Sequence, residues 1–123
     1  LVSVVTGRLA PEQDVFSLLQ ATQPGGSITG APKIRAMQII DELEPCLRGP
    51  YCGNALYMGF DGAMDSSILI RTVMVDARTI SFHAGGAVVL DSDPLAEYRE
   101  TLTKAAPLWR ALTDGDIAMT DEA

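Results

Sequence analysis

The 123-residue sequence contains one histidine, His83, and two cysteines, Cys46 and Cys52. That set cannot supply a zinc quartet, and with the loop-like Leu47-Arg48-Gly49-Pro50-Tyr51 between them the cysteines read as reduced thiols. Apolar runs extend only a few residues, far short of the roughly 20 that cross a bilayer, and no basic region precedes a signal-like stretch. The expectation is a cytoplasmic protein with no membrane partner. Cations are scarce as well: 9 Lys and Arg stand against 16 Asp and Glu, a formal charge of -7. Binding along a phosphate backbone needs clustered cations, so no nucleic-acid partner is expected. An anionic small ligand would have to be met by locally placed ones.

What is present is 47% hydrophobic and 20% charged, ordinary for a soluble globular protein, and 123 residues fall in the size range of one domain. The chain opens on Leu1, and Leu1 to Leu9 reads as a Val-rich strand with no turn signal before it. A cut through a larger domain is one reading and a processed N-terminus the other; an unpaired strand edge there would favour self-association. A helix opening at Pro11 and Glu12 carries Val15, Leu18, Leu19 and Thr22 at helical spacing and stops at Gln23-Pro24-Gly25-Gly26. A second, from about Ala31 to Leu43, has Ala36, Met37, Ile40 and Leu43 as its apolar stripe. Strands at Tyr51 to Phe60, Ser66 to Val75 and Thr79 to Leu90, joined by short turns, predict an antiparallel meander. The last helix starts at the N-cap Asp93 with Pro94 next and runs toward Leu112, kinked or interrupted at Pro107. An acidic, frayed tail follows from Asp114. The fold class is therefore α+β, an antiparallel sheet flanked by helices.

Three segments carry chemical interest. Pro24-Gly25-Gly26-Ser27-Ile28-Thr29-Gly30-Ala31-Pro32-Lys33 sets glycines and hydroxyls before a helix, where N–H groups and the helix dipole can face an anion. A nucleotide phosphate loop is excluded, because Ala31 and Pro32 stand where that motif needs Lys and Ser or Thr; a plain capping loop ending on Thr29 is the simpler account. Arg71 is the one cation of an apolar strand. It either snorkels, pairs with Asp65, or meets an anion through its planar guanidinium. His83-Ala84-Gly85-Gly86-Ala87-Val88 predicts a bulge or a close ligand approach, with His83 an ordinary strand residue. Glu97, Glu100 and Lys104 share one face of the last helix, while Leu95, Tyr98, Leu102, Ala105, Trp109 and Leu112 line another. The acidic face is a solvated surface or a site for a hard divalent ion.

Pro24 to Lys33 followed by Ile34-Arg35-Ala36-Met37-Gln38-Ile39-Ile40-Asp41-Glu42-Leu43-Glu44-Pro45 resembles the signature of the chorismate-binding family, which includes anthranilate, aminodeoxychorismate and salicylate synthases. The resemblance extends from Val2-Ser3-Val4-Val5-Thr6-Gly7 to Ala96-Glu97-Tyr98-Arg99-Glu100-Thr101. It implies a C-terminal portion of a larger two-sheet fold, with chorismate as substrate and Mg²⁺ as cofactor. By the same resemblance Ser27, Tyr51, Arg71, Gly85, Gly86 and Lys104 lie at the substrate, and Glu97 and Glu100 hold the metal. Gly26-Ser27-Ile28-Thr29-Gly30 is closer to the aminodeoxychorismate form than to the anthranilate form, implying amination of chorismate to 4-amino-4-deoxychorismate with ammonia from a glutamine amidotransferase partner. Ala87 replaces a family glycine, at a cost of about 1 kcal/mol if the position needs positive φ. The family's upstream Pro-Ile-Lys-Gly-Thr segment is not in this chain, so these residues alone are expected to be inactive.

Overall fold

The computed structural model describes residues 2–113, and the frayed tail expected from Asp114 lies outside them. Residues 2–10 belong to no helix or strand, and Val2, Val4 and Val5 are 93%, 84% and 93% exposed. The expected opening strand is thus not formed. Branched residues favour a strand only where a neighbour pairs its backbone and covers one face, and none of the described strands pairs with this segment. Ala10 to Gln13 make a turn closed by the Gln13 N–H on the Ala10 carbonyl at 2.9 Å, with Pro11 at the second position where its fixed φ suits a turn. Helix α1, Val15–Thr22, therefore starts later than Pro11. Its cap is Asp14, whose Oδ1 accepts from the Ser17 N–H and the Ser17 hydroxyl, both at 2.8 Å. Those two donors hold the Asp14 carboxyl below its ordinary pKa of 3.8.

The glycine loop is tighter than a capping loop. Gly26–Thr29 form a single helical turn, α2, and α3 occupies Lys33–Leu43. Thr29 does not cap α3; its hydroxyl donates back to the Gly25 carbonyl at 3.2 Å. Gly30 joins the two at φ 108°, and a Cβ there would sit 3.2 Å from the Cβ of Ala36. Both the backbone angle and the approach to α3 require glycine. Of the expected stripe on α3, Ala36 and Ile40 are half-buried while Met37 and Leu43 are exposed.

The α+β mixture with antiparallel pairing is present, but the expected central strand is divided. β1, Asn54–Met58, pairs with β2, Met64–Ile68, and β3, Val73–Val75, pairs with β4, Ile80–Phe82, as separate two-stranded sheets. The first pair is framed by the Gly59 N–H on the Ala63 carbonyl at 2.8 Å and the Leu69 N–H on the Gly53 carbonyl at 2.9 Å. The second is antiparallel with Val73 opposite Phe82 and Val75 opposite Ile80. What separates β2 from β3 is Arg71, at φ 53°. A left-handed residue cannot continue a pleated strand. The β3–β4 turn is closed by Asp76, whose Oδ1 accepts from the N–H groups of Arg78 and Thr79 at 2.8 and 2.9 Å and whose Oδ2 accepts from the Thr79 hydroxyl at 2.7 Å. These bonds hold the Asp76 carboxyl below its usual 3.8. β4 ends at Phe82, well before the expected Leu90.

The chain divides into two units, one ending at Cys46 and including Ala55–Ser67, the other taking Leu47–Asn54 and the described residues from Ile68 onward. The second contains α4, Pro94–Thr113. Asp93 caps it as expected, accepting from the Ala96 N–H at 2.8 Å on its side chain and from the Glu97 N–H at 3.0 Å on its carbonyl. Pro107 does not interrupt the helix. Phe82 meets Trp109 edge to face, with centroids 6.4 Å apart, tying the end of β4 to α4. Ala105 on α4 is the only buried side chain among the described residues. Among the described residues, large apolar side chains stay open in both units.

Candidate functional site

The segment after β4 leads directly along α4. A Cβ placed on Gly86 would lie 3.1 Å from Glu97 Oε2, 3.7 Å from Glu100 Oε1 and 3.7 Å from Lys104 Nζ, so three charged groups converge on this backbone. They do so because positions i, i+3 and i+7 of α4 share a face. The Lys104 ammonium donates to Glu100 Oε1. One cation against two carboxylates leaves the cluster with an excess negative charge suited to a further cation. Glu97 Oε1 accepts from the Ser92 hydroxyl at 2.6 Å, which leaves Oε2 as the oxygen on the Gly86 side.

Next to this cluster, a Cβ on Gly85 would lie 3.3 Å from the Tyr51 hydroxyl oxygen. Tyr51 stands in a turn in which its N–H donates to the Arg48 carbonyl at 3.1 Å and the Gly53 N–H donates to the Pro50 carbonyl at 3.0 Å. Its ring stacks on His83 with centroids 5.3 Å apart and planes 15° apart, and the Arg48 guanidinium lies 5.9 Å from its centroid. His83 is therefore neither within a strand nor without a partner. Offset stacking and a cation near the ring face both favour this arrangement.

The structure thus brings together Tyr51, Gly85, Gly86, Glu97, Glu100 and Lys104 in one unit. Arg71 belongs to the same unit but lies in the bend between β2 and β3, exposed. Among the described residues no ion pair joins it to Asp65. Ser27 belongs to the other unit, exposed on α2. The expected bulge is absent, since residues 83–89 follow the strand instead of interrupting it. Ala87 has no positive φ, so alanine carries no backbone penalty there. Sequence reasoning missed Ser92 and the partners of His83. The hydroxyl of Ser92, between two aspartates at a helix start, reads only as a spare cap, and nothing in the sequence links His83 to Tyr51, 32 positions earlier.

A donor set of two carboxylates offers hard oxygen ligands of the kind Mg²⁺ accepts, commonly with several waters. Among the described residues no third His, Cys, Asp or Glu completes the group, so the fit is to part of a coordination shell. No described helix is long and apolar enough to cross a membrane.

The model of the family described as chorismate binding enzyme matches residues 1–110. The chain belongs to this family. It is 54% identical over 104 residues to aminodeoxychorismate synthase component 1 of Klebsiella aerogenes, covering 85% of this chain and 23% of the relative. It is 48% identical over 117 residues to anthranilate synthase component 1 of Cereibacter sphaeroides, covering 95% and 23%. Aminodeoxychorismate synthase of Streptomyces griseus is 51% identical over 112 residues, covering 91% and 16%. The chain spans less than a quarter of the length of each of these three relatives.

Proposed function

We propose that this chain supplies one wall of a Mg²⁺-dependent chorismate site in an enzyme that aminates chorismate to 4-amino-4-deoxychorismate. The observation that carries the reading is the convergence of Glu97, Glu100 and Lys104 on Gly86, with the Tyr51 hydroxyl against Gly85. Glu97 Oε2 and the Glu100 carboxylate would hold Mg²⁺, which when bound supplies positive charge toward a substrate carboxylate. The Gly85–Gly86 backbone and the Tyr51 hydroxyl would orient the substrate there. Lys104 adds a cation on the same helix face, and Arg71 offers an exposed guanidinium able to meet an anionic ligand; Ser27, by itself in the other unit, offers an exposed hydroxyl. The Gly26-Ser27-Ile28-Thr29-Gly30 form favours the aminodeoxychorismate product, with ammonia delivered by a glutamine amidotransferase. Anthranilate formation is the second reading, favoured by the 48% identity to an anthranilate synthase over nearly the whole chain. On either reading the 123 residues alone are inactive and self-associate through their uncovered apolar side chains.

The test uses the protein that carries this chain, with chorismate, Mg²⁺ and ammonium. Glu97→Ala and Glu100→Ala each remove a charge and a ligand together, and turnover should fall by about a hundredfold or more, beyond the 10–100-fold typical of groups that only support a ligand. Arg71→Ala removes a contact made equally in ground and transition states, so KM should rise with kcat little changed. The product identified, 4-amino-4-deoxychorismate or anthranilate, decides between the two readings. Wild-type turnover and Mg²⁺ dependence in both glutamate variants would reduce this helix face to a solvated surface.

A further inference from the structure

Resting on the reading of Glu97 as a metal ligand, we infer that Ser92 is the positioning residue that turns the Glu97 carboxylate toward Gly86. Residues 89–92 close on themselves twice. The Ser92 N–H donates to the Val89 carbonyl at 3.0 Å, and the Val89 N–H donates to Ser92 Oγ at 3.0 Å. A serine hydroxyl has one proton and two lone pairs. Because the Val89 N–H occupies the acceptor side, the proton is directed outward, and it goes to Glu97 Oε1 at 2.6 Å. The result is a one-way relay from backbone N–H to hydroxyl to carboxylate, anchored in a turn that cannot rotate freely.

That relay selects between the two carboxylate oxygens. Oε1 is engaged by Ser92, and Oε2 is the oxygen directed at Gly86. Glu97 lies in the first turn of α4, whose start is separately fixed by the Asp93 cap, so the helix sets where the side chain begins and Ser92 sets how it ends. A glutamate without this tie would sample several rotamers, and ordering it on binding would cost entropy. Ser92 thus acts on a cation through Glu97 and touches neither cation nor substrate.

Mn²⁺ alone, titrated into the protein carrying this chain and followed by the electron paramagnetic resonance of the free ion, is a suitable probe. The unsubstituted protein should bind and Glu97→Ala should lose binding. Ser92→Ala should weaken it by about tenfold or more, as is typical when a ligand's supporting hydrogen bond is removed, with the metal-free Tm little changed. Ser92→Thr, which keeps the hydroxyl, should bind like the unsubstituted protein. Unchanged affinity in Ser92→Ala, alone or with a lowered metal-free Tm, overturns the role of Ser92 while leaving Glu97 a ligand, as does a Thr variant as weak as Ala. Failure of Glu97→Ala to lose binding overturns the underlying metal reading instead.

Discussion

Two glycine-rich segments precede helices in this chain, one before α3 and one before α4, and they use glycine for opposite ends. Before α3, Gly30 adopts φ 108° and brings the backbone against Ala36. Glycine there serves packing and conformation, and no charged group faces it. Before α4, Gly85 and Gly86 have no positive φ. They are small because a hydroxyl, two carboxylates and an ammonium stand where side chains would project. Similar composition therefore encodes a structural joint in one place and a chemical surface in the other, and what distinguishes them is what the following helix presents to the backbone.

Substitution at Gly86 probes this contrast with the largest expected effect. Gly86→Ala meets no backbone objection, yet its Cβ would press on Glu97 Oε2 at 3.1 Å. Divalent-ion affinity should fall about 10-fold to 100-fold, in the range for disturbed ligand support, with folding stability near wild type. Gly30→Ala should do the reverse. A left-handed alanine costs about 1–2 kcal/mol, and the 3.2 Å approach to Ala36 adds to it, so urea melts should show a loss of that size or somewhat more with ion affinity unaltered. A stability loss at Gly86, or an affinity loss at Gly30, would break the comparison.

The smallest effect concerns two carboxylates that accept backbone N–H groups, a helix cap in one unit and a turn residue in the other. Asp14 and Asp76 both have pKa values lowered from 3.8, chiefly by the Ser17 N–H in one case and the Arg78 N–H in the other. A folded pKa below the unfolded one contributes stability that is complete above 3.8 and lost as pH falls through the lowered value. Asp14→Asn and Asp76→Asn should each be slightly destabilising at neutral pH and match the parent in strong acid, as read from denaturant midpoints against pH. Equal behaviour at both sites would show that the contrast between the glycine segments does not come from a general electrostatic difference between the units.

Much of the geometry of the candidate site was legible because helical spacing is a strong code. The shared face of Glu97, Glu100 and Lys104, the Asp93 cap and the end of α3 before Pro45 all follow from periodicity and capping. The family itself was legible from Pro24 to Pro45 and is shown by the match over residues 1–110. The β-region was read less well. Ile68, Leu69, Ile70, Thr72 and Val73 all favour strands, and no local signal marks Arg71 as left-handed, so two short strands looked like one. The Val-rich opening satisfied strand propensity without a pairing partner, and propensity without pairing does not form a sheet. Contacts between distant segments, such as His83 on Tyr51, leave no periodic trace at all.

The most direct test of the central claim is where a divalent cation sits. Crystals of the protein carrying this chain, grown with Mn²⁺ and chorismate, should show an anomalous density peak within coordination distance of Glu97 Oε2 and the Glu100 carboxylate, beside the Gly85–Gly86 backbone. A peak held by other groups, with the carboxylates of Glu97 and Glu100 both outside coordination distance, would contradict the account.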